Sequence, residues 1–186
     1  MSTAFAPAEN RRGVTVVTES PVERSRTVDR YLLAALRLAF AWEFLWAFGD
    51  KLFGWGFATP SGRSWLNGGS PTKGFLENSA TGPFESFYKS IAGEPWVDWL
   101  FMLGLAGIGL ALLLGIGMRI AAASGALLLV MMWSVVLPPV NNPFLDEHLI
   151  EALMLILLAR FAAGDTLGLG KWWASTELVR RFPILR

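Results

Sequence analysis

Between Trp99 and Met118 this chain runs for twenty consecutive residues without a charged side chain. About 20 apolar residues in a helix cross the hydrocarbon core of a bilayer. Inside lipid every backbone N–H and C=O must find its partner within the protein, which makes a helix the solution for such a run. A second charge-free run, Ile120–Val140, follows immediately after Arg119. Charged residues make up only 17% of the 186 residues, against about 25% in soluble domains. These features specify an integral membrane protein.

Two further stretches have the required length. Tyr31–Phe53 is apolar despite Arg37, Glu43, Asp50 and Lys51, and Phe144–Ala163 is apolar beyond its acidic start. The expected architecture is therefore an all-α integral membrane protein. It is a four-transmembrane-helix bundle with spans near Tyr31–Phe53, Pro95–Gly117, Ile120–Val140 and Phe144–Ala163. A long extracytoplasmic loop, 54–94, joins helices one and two. Residues 1–30 read as a flexible cytoplasmic tail, 31–164 as the membrane domain, and 165–186 as a cytoplasmic interfacial tail. Trp172 and Trp173 beside Lys171 look like an anchor in that tail. In the long loop, the helical spacing of Phe84, Phe87, Tyr88 and Ile91 predicts a short amphipathic helix on the membrane face. The first apolar run starts only near Tyr31, so no cleavable signal peptide is expected.

Basic residues set the expected orientation. Five arginines precede the first span, Arg119 lies between spans two and three, and Lys171, Arg180, Arg181 and Arg186 follow the fourth. The connection between spans three and four has no Lys or Arg. The positive-inside rule then places both termini in the cytoplasm of a multi-pass protein of the cell membrane.

Composition also excludes chemistry. With no cysteine, the chain by itself holds no disulfide, iron–sulfur cluster or thiolate zinc site. With one histidine, it cannot by itself hold a bis-histidine haem. A net charge of +1 gives no case for nucleic acid as a partner. Redox chemistry on such a chain must use a diffusible cofactor or another subunit.

That histidine, His148, opens the fourth apolar run beside Asp146, Glu147 and Glu151. Spacings of three and four residues put Glu147, His148 and Glu151 on one side of a helix. Ionisable groups at membrane depth are costly and mark functional sites. Combined with the topology, the sequence brings Asp50, Lys51, Asp98, His148 and Glu151 to the outer mouth of the bundle. Arg37, Arg119 and Arg160 fall toward the cytoplasmic side, and Glu43 lies between the two groups. Plainer readings exist for several of them. Asp146 and Glu147 suit a helix N-terminus, Asp50–Lys51, Arg37, Arg119 and Arg160 suit snorkelling to headgroups, and His148 suits a structural hydrogen bond. One histidine among carboxylates specifies a metal only weakly, and no metal site is expected. Two small-residue stripes, Gly107/Ala111/Gly115 and Ala121/Gly125, predict close helix contacts.

Several segments resemble the DoxX/DoxD family of small four-helix membrane proteins. They are ALRLAFAWEFLWAFGDKLFG, GLALLLGIGMRIAAASGA, and LDEHLIEALMLILLA followed by GDTLGLGKWW. The matching positions are Arg37, Gly49, Lys51, Gly115, Arg119, Asp146 and His148, and the resemblance covers about Tyr31–Trp173. The long loop, with TKGFL and GPFESFY, is similar to the DoxD-like branch. The resemblance implies a membrane subunit of thiosulfate:quinone oxidoreductase or a related complex, with quinone as cofactor and other subunits or further copies as partners. His148, Glu151 and Asp50 would then serve proton transfer, and Lys51, Asp98, Glu43 and Arg37 would hold quinone or an anionic donor. Two other readings stand beside it: a non-catalytic membrane anchor or assembly subunit, and a small-solute or proton-coupled transporter.

Overall fold

The computed structural model describes residues 21–186; the expected tail segment 1–20 lies outside the described residues. Among those residues the chain is all-helical, with no strand. Four longer helices carry the fold: α1 (Pro21–Phe53), α4 (Pro95–Leu114), α5 (Met118–Val135) and α6 (Glu147–Arg160). Short helices α2 (Lys73–Asn78) and α3 (Glu85–Ser90) lie in the loop after α1, and α7 (Gly170–Ser175) and α8 (Glu177–Arg181) follow α6.

Each long helix buries a single stripe. In α1 it is Ala34, Arg37, Ala41 and Phe44; in α4 it is Asp98, Met102, Leu105, Ile108 and Leu112. These residues recur every three or four positions, the period of one helix face. Of these, Ala41, Phe44, Met102, Leu105, Ile108 and Leu112 meet Ala121, Ala122 and Leu129 of α5 and Ala152, Leu155 and Leu158 of α6 in one apolar core. Pairing is uneven: α1 packs along α4 and α5 along α6, while α1 and α6 touch only lightly.

The opposite faces are apolar too. Leu100, Leu103 and Leu110 of α4, Leu127 of α5, and Leu153 and Ile156 of α6 are at least half exposed. Helices that are apolar all round suit a lipid environment. Three helical stretches, Ser25–Phe53, Pro95–Leu114 and Met118–Val135, are long and apolar enough to cross a bilayer. The fourth expected span behaves differently. Its apolar run covers twenty residues, but α6 has 14, about 21 Å at 1.5 Å per residue. Asp146 fixes its start by accepting from the Leu149 N–H, and Ala162, in the left-handed region, ends it. At the other end of the chain, α1 begins at Pro21, so residues 21–30, expected in the tail, are helical.

The loop 54–94 is folded against the bundle. Leu76, Ala80 and Tyr88 form a small core with Val135 of α5. The Tyr88 hydroxyl lies 2.6 Å from Ser134 Oγ, and Trp65 packs edge-on to Trp99 at 4.6 Å. The helical spacing of Phe84–Ile91 is real, with the short helix α3 at Glu85–Ser90. Tyr88 turns into the protein, while Phe84 and Phe87 stay exposed. The final segment is tied down as well: the Arg119 N–H donates to the Arg186 carbonyl at 2.9 Å.

The close helix contacts fall partly where the small residues predict them. A Cβ on Gly125 would come within 2.6 Å of Leu155, and one on Gly115 within 2.8 Å of the Gly164 carbonyl oxygen. Gly115 also has φ +72°, which favours glycine. Gly107 departs from the expectation, because a Cβ there meets nothing within 4 Å. Gly109, two residues on, is the one that seats Leu45 of α1.

Candidate functional site

The expected outer group divides on inspection of its partners. Asp50, near the end of α1, is 2% exposed. Its two carboxylate oxygens accept from the backbone N–H groups of Phe57 at 3.2 Å and Ala58 at 3.0 Å. It clasps the turn after α1, which Gly54 opens with φ +70°. Gly49 belongs to the same construction, since the Trp55 ring lies where its Cβ would be. Asp50 thus holds the turn after α1 in place.

Asp98, in the first turn of α4, has the same kind of role. Its Oδ1 accepts from Thr72 Oγ1 at 2.6 Å, Ser70 Oγ at 2.9 Å and the Thr72 N–H at 3.1 Å. A buried carboxylate needs such donors, and here they anchor the middle of the loop to the bundle. Lys51 stands apart from both. Its ammonium sits 5.9 Å from the centroid of Phe101, a cation–π arrangement.

Arg37 is fully buried. Its guanidinium donates to the carbonyl oxygens of Leu112, Leu113 and Leu167, the last two at 2.9 and 2.8 Å. The last carbonyls of a helix have no intrahelical donor. Arg37 supplies one for the end of α4 and joins it to the segment after α6.

The remaining groups converge at the seam between α1 and α6. His148 Nδ1 lies 2.7 Å from Asp146 Oδ2. Against a carboxylate, that nitrogen carries the proton. Nε2, which has no hydrogen-bond partner among the described residues, is then left to accept one. Glu151, one turn further along α6, is half-buried, and Glu43 on α1 is exposed toward the surroundings of the bundle. Glu43, His148 and Glu151 lie within electrostatic reach of one another, with Glu147 and Asp146 acting on Glu151 as well. Glu43, expected midway between two clusters, in fact belongs to this one. Among the described residues no three His, Asp or Glu side chains are placed to hold a metal ion.

An aromatic group flanks Glu43. Trp46 lies tilted against Trp42 at 5.3 Å and Trp55 at 5.1 Å, and meets Phe57 edge-on at 4.9 Å. The sequence reading passed over it. Its signal was the i,i+4 spacing of Trp42 and Trp46, which makes them neighbours on a helix.

The fold and this seam define an all-helical chain built for lipid, with an acid–imidazole cluster where two of its helices barely touch. Compared with known proteins, it matches no family model, no curated protein and no solved structure.

Proposed function

We propose that this protein is a quinone-linked membrane oxidoreductase subunit of DoxX/DoxD type, working with other subunits or further copies of itself. The observation that carries the reading is the grouping of Glu43, His148 and Glu151 at the α1–α6 seam. A seam with few helix contacts gives a flat headgroup access from the lipid. Trp42 and Trp46 beside Glu43 supply aromatic faces for it. A bound quinone would supply the acceptor for two electrons and two protons. His148, held by Asp146, would present Nε2 to a headgroup oxygen and, once protonated there by Glu151 or Glu43, would pass that proton on. Glu151 and Glu43 return protons to the imidazole and exclude an anionic donor from the seam itself. The electrons come from a small reduced sulfur anion such as thiosulfate, through a partner or at the protein surface.

In this reading α6 serves as a fourth, short span. Its outer face exposes Ile150, Leu153, Ile156 and Leu157, and the bilayer adapts to short spans by thinning or by helix tilt. Both termini are cytoplasmic and the 54–94 loop is extracytoplasmic, in accord with the basic residues. Purified protein in phosphatidylcholine nanodiscs, titrated with a short-chain ubiquinone, tests the proposal. Saturable binding lost in His148→Ala and Glu43→Gln supports it; no binding in the wild type removes it.

One observation favours a second reading, a non-catalytic anchor for a partner oxidoreductase. Arg37, Asp50 and Asp98 all act within the fold. Redox subunits that co-purify with a chain unable to bind quinone identify that case.

A further inference from the structure

Three arginines line a cavity that borders an apolar groove left uncovered by the described chain. Where α4 turns into α5, Arg119, Arg160 and Arg186 line a cavity of about 120 Å³ together with Asp165. Arg186 pairs with Asp165 at 3.1 Å, and Arg119 donates to the Pro183 carbonyl at 2.9 Å. Both are thereby fixed in place. Arg160 has no hydrogen bond or ion pair among the described residues. Three guanidinium groups stand around the cavity with one carboxylate side chain, that of Asp165.

Beside it, an apolar groove of about 480 Å³ runs between α4 and α5, and Trp173 borders both spaces. Gly104, Gly107 and Ala111 form its floor on α4, with Ile120 and Ser124 opposite on α5. Side chains added at Gly104 or Gly107 would meet no atom within 4 Å. From Leu103 to Leu114 the groove follows α4 for about 16 Å at 1.5 Å per residue. That is close to half of a hydrocarbon core of about 30 Å, the depth of one leaflet.

We propose that this end of the molecule is a binding site for one anionic phospholipid. Its phosphate is held by Arg119, Arg160 and Arg186, and an acyl chain lies in the α4–α5 groove. The charge and the groove meet at the headgroup level, the arrangement a phospholipid requires and a free anion does not. Basic residues at a membrane surface attract anionic lipid. A second copy is the poorer occupant: a two-fold dimer is self-complementary and would bring two arginine ends together. The proposal is independent of the α1–α6 seam.

The test is native mass spectrometry of the full-length protein released from detergent after incubation with phosphatidylglycerol, phosphatidylcholine or inorganic phosphate. Each basic residue near an anionic surface contributes about fivefold in affinity. Retention of phosphatidylglycerol should therefore fall about 25-fold in Arg119→Gln/Arg160→Gln. Gly107→Leu, which has room to fold, should lower retention by filling the groove, with the protein still monomeric. Equal retention of the two lipids, or displacement of phosphatidylglycerol by phosphate alone, would overturn the site. So would a wild-type dimer that Gly107→Leu dissociates, since a second copy would then occupy the groove.

Discussion

Arg37 donates a hydrogen bond to the Leu113 carbonyl oxygen at 2.9 Å, from a side chain with no exposure to its surroundings. Removing the donor leaves several carbonyls unsatisfied, at about 1–3 kcal/mol each. Arg37→Met should therefore lose several kcal/mol of stability, visible as a lower unfolding midpoint in detergent. Arg37→Lys, with one compact ammonium in place of a planar fork, should recover only part of it. Wild-type stability in Arg37→Met, combined with loss of quinone binding, would return Arg37 to the ligand site.

Asp50 and Asp98 hold different parts of the same loop. Asp50→Ala frees the Phe57 and Ala58 N–H groups, and Asp98→Ala frees Ser70 and Thr72. Each variant should speed hydrogen exchange in its own segment by at least tenfold, since loss of a charge-assisted bond is worth about 1.5–3 kcal/mol. The other segment should stay protected. Uniform acceleration across the loop would mean that it opens as one unit.

The glycines separate three neighbouring positions. Gly125→Leu drives a side chain into Leu155, and Gly115→Ala adds a Cβ against the Gly164 backbone at a positive φ. Overpacking of this kind costs about 1–3 kcal/mol, so both should lower yield and thermal midpoint. Gly107→Leu should leave stability unchanged. A destabilised Gly107→Leu would show that another helix already occupies that face.

Because the chain has no cysteine, single introduced cysteines report topology on a clean background. Asn142→Cys should react with an impermeant maleimide in intact cells, and Ser175→Cys only after permeabilisation. The reverse pattern would invert the orientation and move the Asp146–His148 pair to the cytoplasmic mouth.

The apolar helices were readable in the sequence because lipid demands long charge-free runs, as at Trp99–Met118. Chain position gave depth but not partners. Asp50, Asp98 and Arg37 looked like a polar site because the sequence cannot show that backbone N–H and C=O groups seven to 130 residues away take up their hydrogen bonds. His148 and Glu151 were legible from their spacing. Glu43 was not placed with them, since that depends on which two helices face each other across the weakly packed seam. Gly107 and Gly109 differ by two residues, and only the rotation of α4 decides which one meets α1.

The seam makes the last claim about mechanism. If His148, oriented by Asp146, moves protons for quinone, then positioned acid–base help worth about 10²–10⁴-fold in rate should vanish in His148→Ala. Asp146→Asn keeps the helix cap but weakens the anchor on Nδ1. It should give an intermediate loss, and so separate orientation from proton transfer. Glu151→Gln and Glu43→Gln should each slow turnover while leaving the fold intact, because both side chains lie at the edge of the core. Lys51→Met, away from the seam and over Phe101, should keep turnover within about twofold, as expected for a partly buried cation–π contact that acts on stability alone. The measurement is quinone-reductase activity in native membranes, normalised to folded protein. Full turnover in His148→Ala and Glu151→Gln together would make the cluster structural, and the anchor reading would take its place.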